Sequence, residues 1–245
     1  MTTTSPLPEC VAPQTSRAVD DRDRRLIEAA AVIDGGETVF DALGDYVDGL
    51  AVDERRARLD RVWLQAPIAY AEALAAYPDL GDRFDVLQGD VIRTDAAYLL
   101  GERRAEATYV VASATCDSVV RPRPRQRTIL LLPVVSITEE DFPAKSRDGR
   151  QRAQDVMLEK LTGFETTRAL YLPVLFDDAP GVLFNTISFK DLCVMSPEVV
   201  PTAHRVASMS LVGWRAFNLL VRALITRTGA EEVGFRIAVD EARAA

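Results

Sequence analysis

A thiol, a carboxylate and four guanidinium groups crowd into one short stretch of this chain: Cys116-Asp117, then Arg121, Arg123, Arg125 and Arg127. A nucleophilic cysteine works as its thiolate, which an adjacent carboxylate disfavours, so Cys116 needs a base or a cation beside it. The chain's one histidine, His204, could be that base, and Arg121 or Arg123 could supply the charge. The plainer reading is a structural thiol, with Asp117 closing an Asx-type turn. The four arginines alternate with proline or glutamine. In an extended or polyproline II chain, residues two apart can project similarly, which gives a compact cationic patch. Arginine's planar fork suits phosphate, so the patch fits RNA, a nucleotide or an acidic partner protein. Against this stands a stiff, solvated loop whose charges salt screens.

Other chemistries lack their residues. One histidine and three scattered cysteines, Cys10, Cys116 and Cys193, give no metal-ligand spacing, so no metal and no cofactor is expected. Glu139-Glu140 and Asp177-Asp178 are neighbours in sequence and read as solvated turns. Gly35-Gly36 has no strand before it and no Gly-Lys after it, so it is no phosphate loop. No GxSxG elbow occurs. Aromatic residues are scarce on the candidate strands, which weakens a base-stacking platform.

The elements that must position these residues divide the chain. Residues 1–19 are rich in Thr, Pro and Ser and are expected to form a disordered tail. Residues 20–80 read as a helical segment. A helix is predicted over 20–33, ended by Gly35-Gly36, and a second over 38–50 with Val39, Leu43 and Val47 on one face. The third is predicted over 53–77, with Leu59, Val62, Trp63 and Ala66 in a stripe and Pro67 as a kink.

From 81 to 245 the grammar is that of short strands: 85–87, 90–94, 107–114, 128–136, 169–175, 181–188 and 192–195. A helical insertion is predicted over 147–161. A final helix over 211–227, capped by Ser210, should pack on the sheet through Trp214, Phe217 and Leu220. Residues 232–239 are expected to return as an edge strand. Tyr109–Ala112 and Ile129–Val135 are too apolar to face water on either side and should be neighbouring buried strands. The spacing of the strands predicts a barrel or a strongly curved sheet.

Three short motifs occur in order: Gly89-Asp90-Val91-Ile92, Tyr109-Val110-Val111-Ala112-Ser113 and Leu131-Leu132-Pro133-Val134-Val135-Ser136. Over about residues 86–137 this order resembles the PemK/MazF-type toxins, small SH3-like barrels that cut single-stranded RNA. The resemblance implies an SH3-like (PemK-like) barrel and assigns the family's catalytic hydroxyl to Ser136. The family's Arg-Pro pair before its second strand is replaced here by Ala105-Glu106-Ala107-Thr108, with Arg103 and Arg104 upstream.

The 245 residues carry 48% hydrophobic side chains, enough for a core, and a net charge of −8. That balance excludes a broad basic face for coating nucleic acid or adsorbing to membranes, and leaves room for a local basic groove. No run reaches the roughly 20 apolar residues that span a bilayer. The opening segment has neither a basic n-region nor an apolar h-region, and the cysteines are few, so a cytoplasmic protein with reduced thiols is expected, and the usage rich in Ala, Arg, Val and Asp resembles that of bacterial proteins. The combined expectation is an α+β protein: an N-terminal helical segment, a small barrel and a C-terminal packing helix. Its expected role is a binding or regulatory module, of a defence or toxin-antitoxin type, that meets a phosphate-bearing ligand or a protein partner through the Arg loop. A homodimer is compatible with it. The alternatives are an RNA endonuclease using Ser136 and an enzyme dependent on Cys116.

Overall fold

A computed structural model describes residues 21–31, 36–68, 86–105, 107–114, 128–143, 146–166, 168–175, 178–225 and 237. Cys116, Asp117 and the four arginines of the 121–127 run lie outside them.

Three helices open the chain: α1 (Asp21–Ala31), α2 (Gly36–Val47) and α3 (Val52–Val62). Gly36, expected to end the first helix, begins the second. The helix expected to reach Tyr77 stops at Val62, because the sheet captures the chain there. The Trp63 carbonyl accepts the Ser210 N–H at 3.0 Å, and β1 (Leu64–Gln65) pairs with β10 (His204–Met209). Residues 69–77 of that expected helix lie outside the described ones.

The strands are antiparallel throughout. β2 (Asp90–Thr94) pairs with β5 (Ala107–Val111), and β3 (Ala97–Leu99) with β4 (Glu102–Arg104). The two ladders share one register, so β2–β3 and β4–β5 form a single long hairpin. Its two-residue tip, Leu100-Gly101, has φ of 52° and 88°, the paired positive values that a twisted hairpin turn needs. No strand was expected over 97–104, since Leu-Gly lacks the usual Asn or Asp of such a turn. Val86 and Leu87, expected in a strand, instead belong to a turn that Asp90 closes by accepting the Leu87 N–H at 2.8 Å.

β6 (Ile129–Thr138) is the spine. β5 lies along one edge, where Tyr109, Val110 and Val111 face Pro133, Leu132 and Leu131 as the apolar runs required, whereas Val135, expected to be buried with them, is exposed because β6 has no described strand on that edge beyond Pro133. The other edge carries β9 (Cys193–Met195) against its first residues and β8 (Val182–Ser188) against its last five. Pro133 stands at the changeover, where the ladder is interrupted and a missing N–H is tolerated. β7 (Ala169–Leu172) pairs with β8.

The strand order is open, β1-β10-β2-β5-β6-β9-β3-β4, with β7 and β8 branching from β6. The expected closed barrel is therefore corrected to a large, curled antiparallel sheet. β3 meets β9 at one residue pair, Tyr98 with Val194, too little to close a ladder.

α4 (Arg147–Thr162) is the predicted insertion, capped by Ser146, whose Oγ accepts the Gly149 N–H at 3.1 Å. α5 (Leu211–Ile225) starts as predicted, with Ser210 Oγ accepting the Gly213 N–H. A Cβ on Gly213 would overlap the Trp63 carbonyl oxygen, so only glycine lets this helix start so close to the end of α3. α5 packs on α1 and α2 as well as on β10. Of the return strand expected over 232–239, only Ile237 is described, and it stands in a helical turn.

Side chains alternate across the curled sheet into two cores. Val91, Val110 and Leu132 join the larger one, with Leu26, Tyr46, Trp63 and Phe217 of the helices. Ile92, Tyr109, Val111, Ile129 and Leu131 point the other way, into a smaller core with Cys193 and Met195. The N-terminal helices thus share their core with the sheet. At about 25 cal/mol per Å² of apolar surface, burying Leu26, Ala30, Leu43, Tyr46, Val47 and Leu59 outweighs any single polar contact between these layers. Among the described residues, no helix is long and apolar enough to cross a membrane.

Candidate functional site

The last turn of α4 and the outer face of β6, β8 and β7 enclose a groove of about 400 Å³. Its walls form for local reasons. Leu158 and Leu161 hold α4 against the core, which leaves Met157 at the groove and Lys160 at its lip. The helix ends with the Gly163 N–H on Glu159 O at 2.8 Å and the Glu165 N–H on Lys160 O at 3.0 Å. Phe164, at φ 56°, stacks on Trp63 with ring centroids 6.0 Å apart and fixes the turn.

The opposite wall is set by strand register. Ala169 pairs with Ser188, and the Phe189 N–H reaches Arg168 O at 3.0 Å, so Arg168 and Lys190 flank the same end of the β7–β8 pair. Ser188 Oγ accepts the Lys190 N–H at 3.3 Å and Thr166 Oγ1 accepts the Arg168 N–H at 3.2 Å, which stiffens both flanks.

Lys160, Arg168 and Lys190 therefore meet around one opening, with the hydroxyls of Thr166, Thr186 and Ser188 between them. Val135, Met157, Leu161 and Ala169 form the floor. Neither a carboxylate nor an aromatic ring lines this groove among the described residues, and none of the three cations has an ion-pair partner among them. The arrangement can hold an anion. Among the described residues its lining offers neither a carboxylate nor an imidazole as a general base.

Ser136 lies one residue from the groove but on the other face of β6, since strand neighbours point oppositely. It is exposed and pairs across the ladder with Asn185. Buried Asn185 donates from Nδ2 to Asp178 Oδ2 at 2.6 Å and to Pro173 O at 3.0 Å, while its Oδ1 has no partner. Neither arginine upstream of β5 is brought to Ser136 by a described contact. Arg103 is bound to Asp95 through Nε and Nη2, and the charge of Arg104 acts on Cys193 and Tyr109.

The described ends flanking 115–127, Ala114 and Thr128, sit at the far end of β6. Seven residues at about 3.3 Å each put Ile129 some 23 Å from Ser136 along the strand. His204 begins β10 opposite Arg93 and is exposed, three ladder positions from Asp90.

The remaining buried titratable groups are structural. Asp90, with no exposed surface, accepts from Ser208 Oγ at 2.5 Å and from Arg205 Nη1 at 3.1 Å. Burial raises its pKa despite these partners. Burial likewise raises Asp60, which accepts the Tyr171 hydroxyl at 2.5 Å, and Cys193, whose thiol is thereby kept protonated and inert. Tyr46 is pushed up to about 12 by burial and by its hydrogen bond to Asp23. No cluster of three or more metal-ligating side chains occurs among the described residues.

Comparison of the chain with protein-family models, with curated proteins and with solved structures finds no match. The groove cations were missed in the sequence because each stands alone in its own segment. The local signals are Thr166-Thr167-Arg168 and Ser188-Phe189-Lys190, each a hydroxyl and a cation two apart at a strand end.

Proposed function

We propose that the protein is a binding module that takes a phosphate-bearing ligand into the groove between α4 and the β6–β8–β7 face. The observation that carries this reading is the meeting of Lys160, Arg168 and Lys190 around one opening with no carboxylate among its described lining residues. In a chain of net charge −8, three converging cations with none of the acidic residues between them are a local reversal of the field. Charge-assisted hydrogen bonds from Arg and Lys to phosphate are about twice as strong as neutral ones, and the hydroxyls can complete the oxygen shell. The arginine run at 121, 123, 125 and 127 belongs to the same reading as a second cationic segment. The SH3-like resemblance remains part of it as a proposal about ancestry of the curled sheet.

The test is calorimetric titration at low salt with three phosphate esters: AMP, a short single-stranded RNA and octyl phosphate. At least one should bind. Lys160→Ser, Arg168→Ser and Lys190→Ser together should weaken it tenfold or more while leaving the thermal melt nearly unchanged, because surface charges contribute little to stability and much to association. Equal binding by the triple variant and the parent would remove the groove from the reading. The same RNA, incubated without added metal and run on a gel, tests cleavage. RNA cut by the parent and spared by Ser136→Ala would replace binding with catalysis.

A further inference from the structure

We infer that the ligand's phosphate is carried on an aliphatic body, so that the groove takes a single-chain alkyl or acyl phosphate in preference to a nucleotide. This rests on the binding reading above and deepens it. The groove has two chemically different parts. Its cations stand at element ends: Lys160 in the last turn of α4, Arg168 just before β7 and Lys190 just after β8. Its floor is aliphatic and thioether: Val135, Met157, Leu161 and Ala169.

Met157 and Leu161 are four apart on α4 and so lie one above the other along the floor. Val135, at 44% exposure, is apolar surface left open on a strand whose first half is covered on both faces. A nucleobase gains from stacking on an aromatic face, and no described lining residue supplies a ring. An alkyl chain needs no ring. Each methylene it buries is worth about fourfold in affinity, and methionine adapts to an irregular chain. The volume, about 400 Å³, suits one chain and its head group. The charge is complementary in the same sense: a head at the cationic lip leaves the tail no charged group of the described lining to meet on the floor, where Thr186, paired with Val135, is the neighbouring hydroxyl.

The experiment compares octyl phosphate below its micelle concentration with AMP, with inorganic phosphate and with vesicles of phosphatidylcholine containing phosphatidate. Octyl phosphate should bind at least tenfold more tightly than AMP or inorganic phosphate, and the vesicles should not sediment the protein. Val135→Asn, at an exposed position away from the cations, should weaken octyl phosphate about tenfold and leave inorganic phosphate unchanged. Arg168→Ser should weaken both. AMP or RNA binding more tightly than octyl phosphate, Val135→Asn without effect, or binding confined to vesicles would each overturn the aliphatic assignment while the anion-binding reading stands. If none of the probes binds, both fall.

Discussion

The two halves of β6 differ more than their sequences do. Ile129 to Pro133 has strands on both edges, Leu131 facing Val111 on one side and Cys193 on the other, and both its faces are covered by the two cores. Val134 to Thr138 has β8 on one edge and, among the described residues, no strand on the other. Val135 and Ser136 reach the surface there. Leu-Leu-Pro and Val-Val-Ser are both apolar runs ending in a small residue. What separates scaffold from site is which neighbours the fold delivers to each half. The same backbone that fixes the core therefore presents the groove floor from a rigid element.

The sharpest way to break this comparison is a charge in each half. Val110→Asp, on β5 beside Leu132, would bury an unpaired carboxylate and should cost about 3–5 kcal/mol. Val135→Asp should cost less than about 1 kcal/mol, as surface substitutions do. Urea unfolding of both variants checks it, and equal losses would show that the second half is as enclosed as the first.

Next in size is Asp90, which ties β2 to β10 behind the buried half. Asp90→Ala would leave the Leu87 N–H, the Ser208 hydroxyl and Arg205 without their acceptor, and should cost about 2–3 kcal/mol. Its pH signature has a definite sign. The folded pKa is raised, so the native state holds the proton over a range where the unfolded chain has lost it. Stability contributed by Asp90 is then fully present below the ordinary carboxylate range and declines as pH rises through the folded value. The stability of the parent relative to Asp90→Asn should grow as pH falls from neutrality towards 4. A constant difference would mean that Arg205 and Ser208 balance burial, and one that shrinks as pH falls would mean that they outweigh it.

The smallest effect is at the hairpin tip. Leu100 is 97% exposed and sits at φ 52°, a conformation that costs a branched L-residue about 1 kcal/mol. Leu100→Asn would make the Asn-Gly pair that this turn favours and should stabilise the protein by about 0.5–1 kcal/mol. An unchanged or lower denaturation midpoint would mean that the leucine is held by contacts beyond this chain.

Much of the sheet was legible because its strands are bounded by turn residues. Asp90–Thr94 is read off between Gly89 and Asp95, and the pairing of the 109–112 and 129–135 runs follows from their apolarity alone. The end of α3 was not legible, because nothing near Trp63 announces that Leu64 will pair with Met209. Periodicity within a window cannot register a partner so far along the chain. Closure of the barrel was over-read for a related reason: strand spacing gives curvature, while closure depends on the one meeting of β3 with β9. The groove was hidden most completely. Lys160, Arg168 and Lys190 each look like a solvated charge, and only the pairing of Ala169 with Ser188 sets two of them side by side. Cys116-Asp117 and the arginine run that dominated the sequence lie outside the described residues.

The pairing of Leu64 with Met209 also sets a timetable on the ribosome. The first three helices and the strand that follows them are made early, yet the carbonyl of Trp63 meets Ser210 only after about 145 further residues have been joined. At about 5–20 residues per second, that is a wait of roughly 7–30 s in which the apolar faces of α1 to α3 have no α5 or β10 to cover them. A nascent chain stalled before Ser210 should therefore be the form that holdase chaperones retain, and release should coincide with synthesis of the last helix.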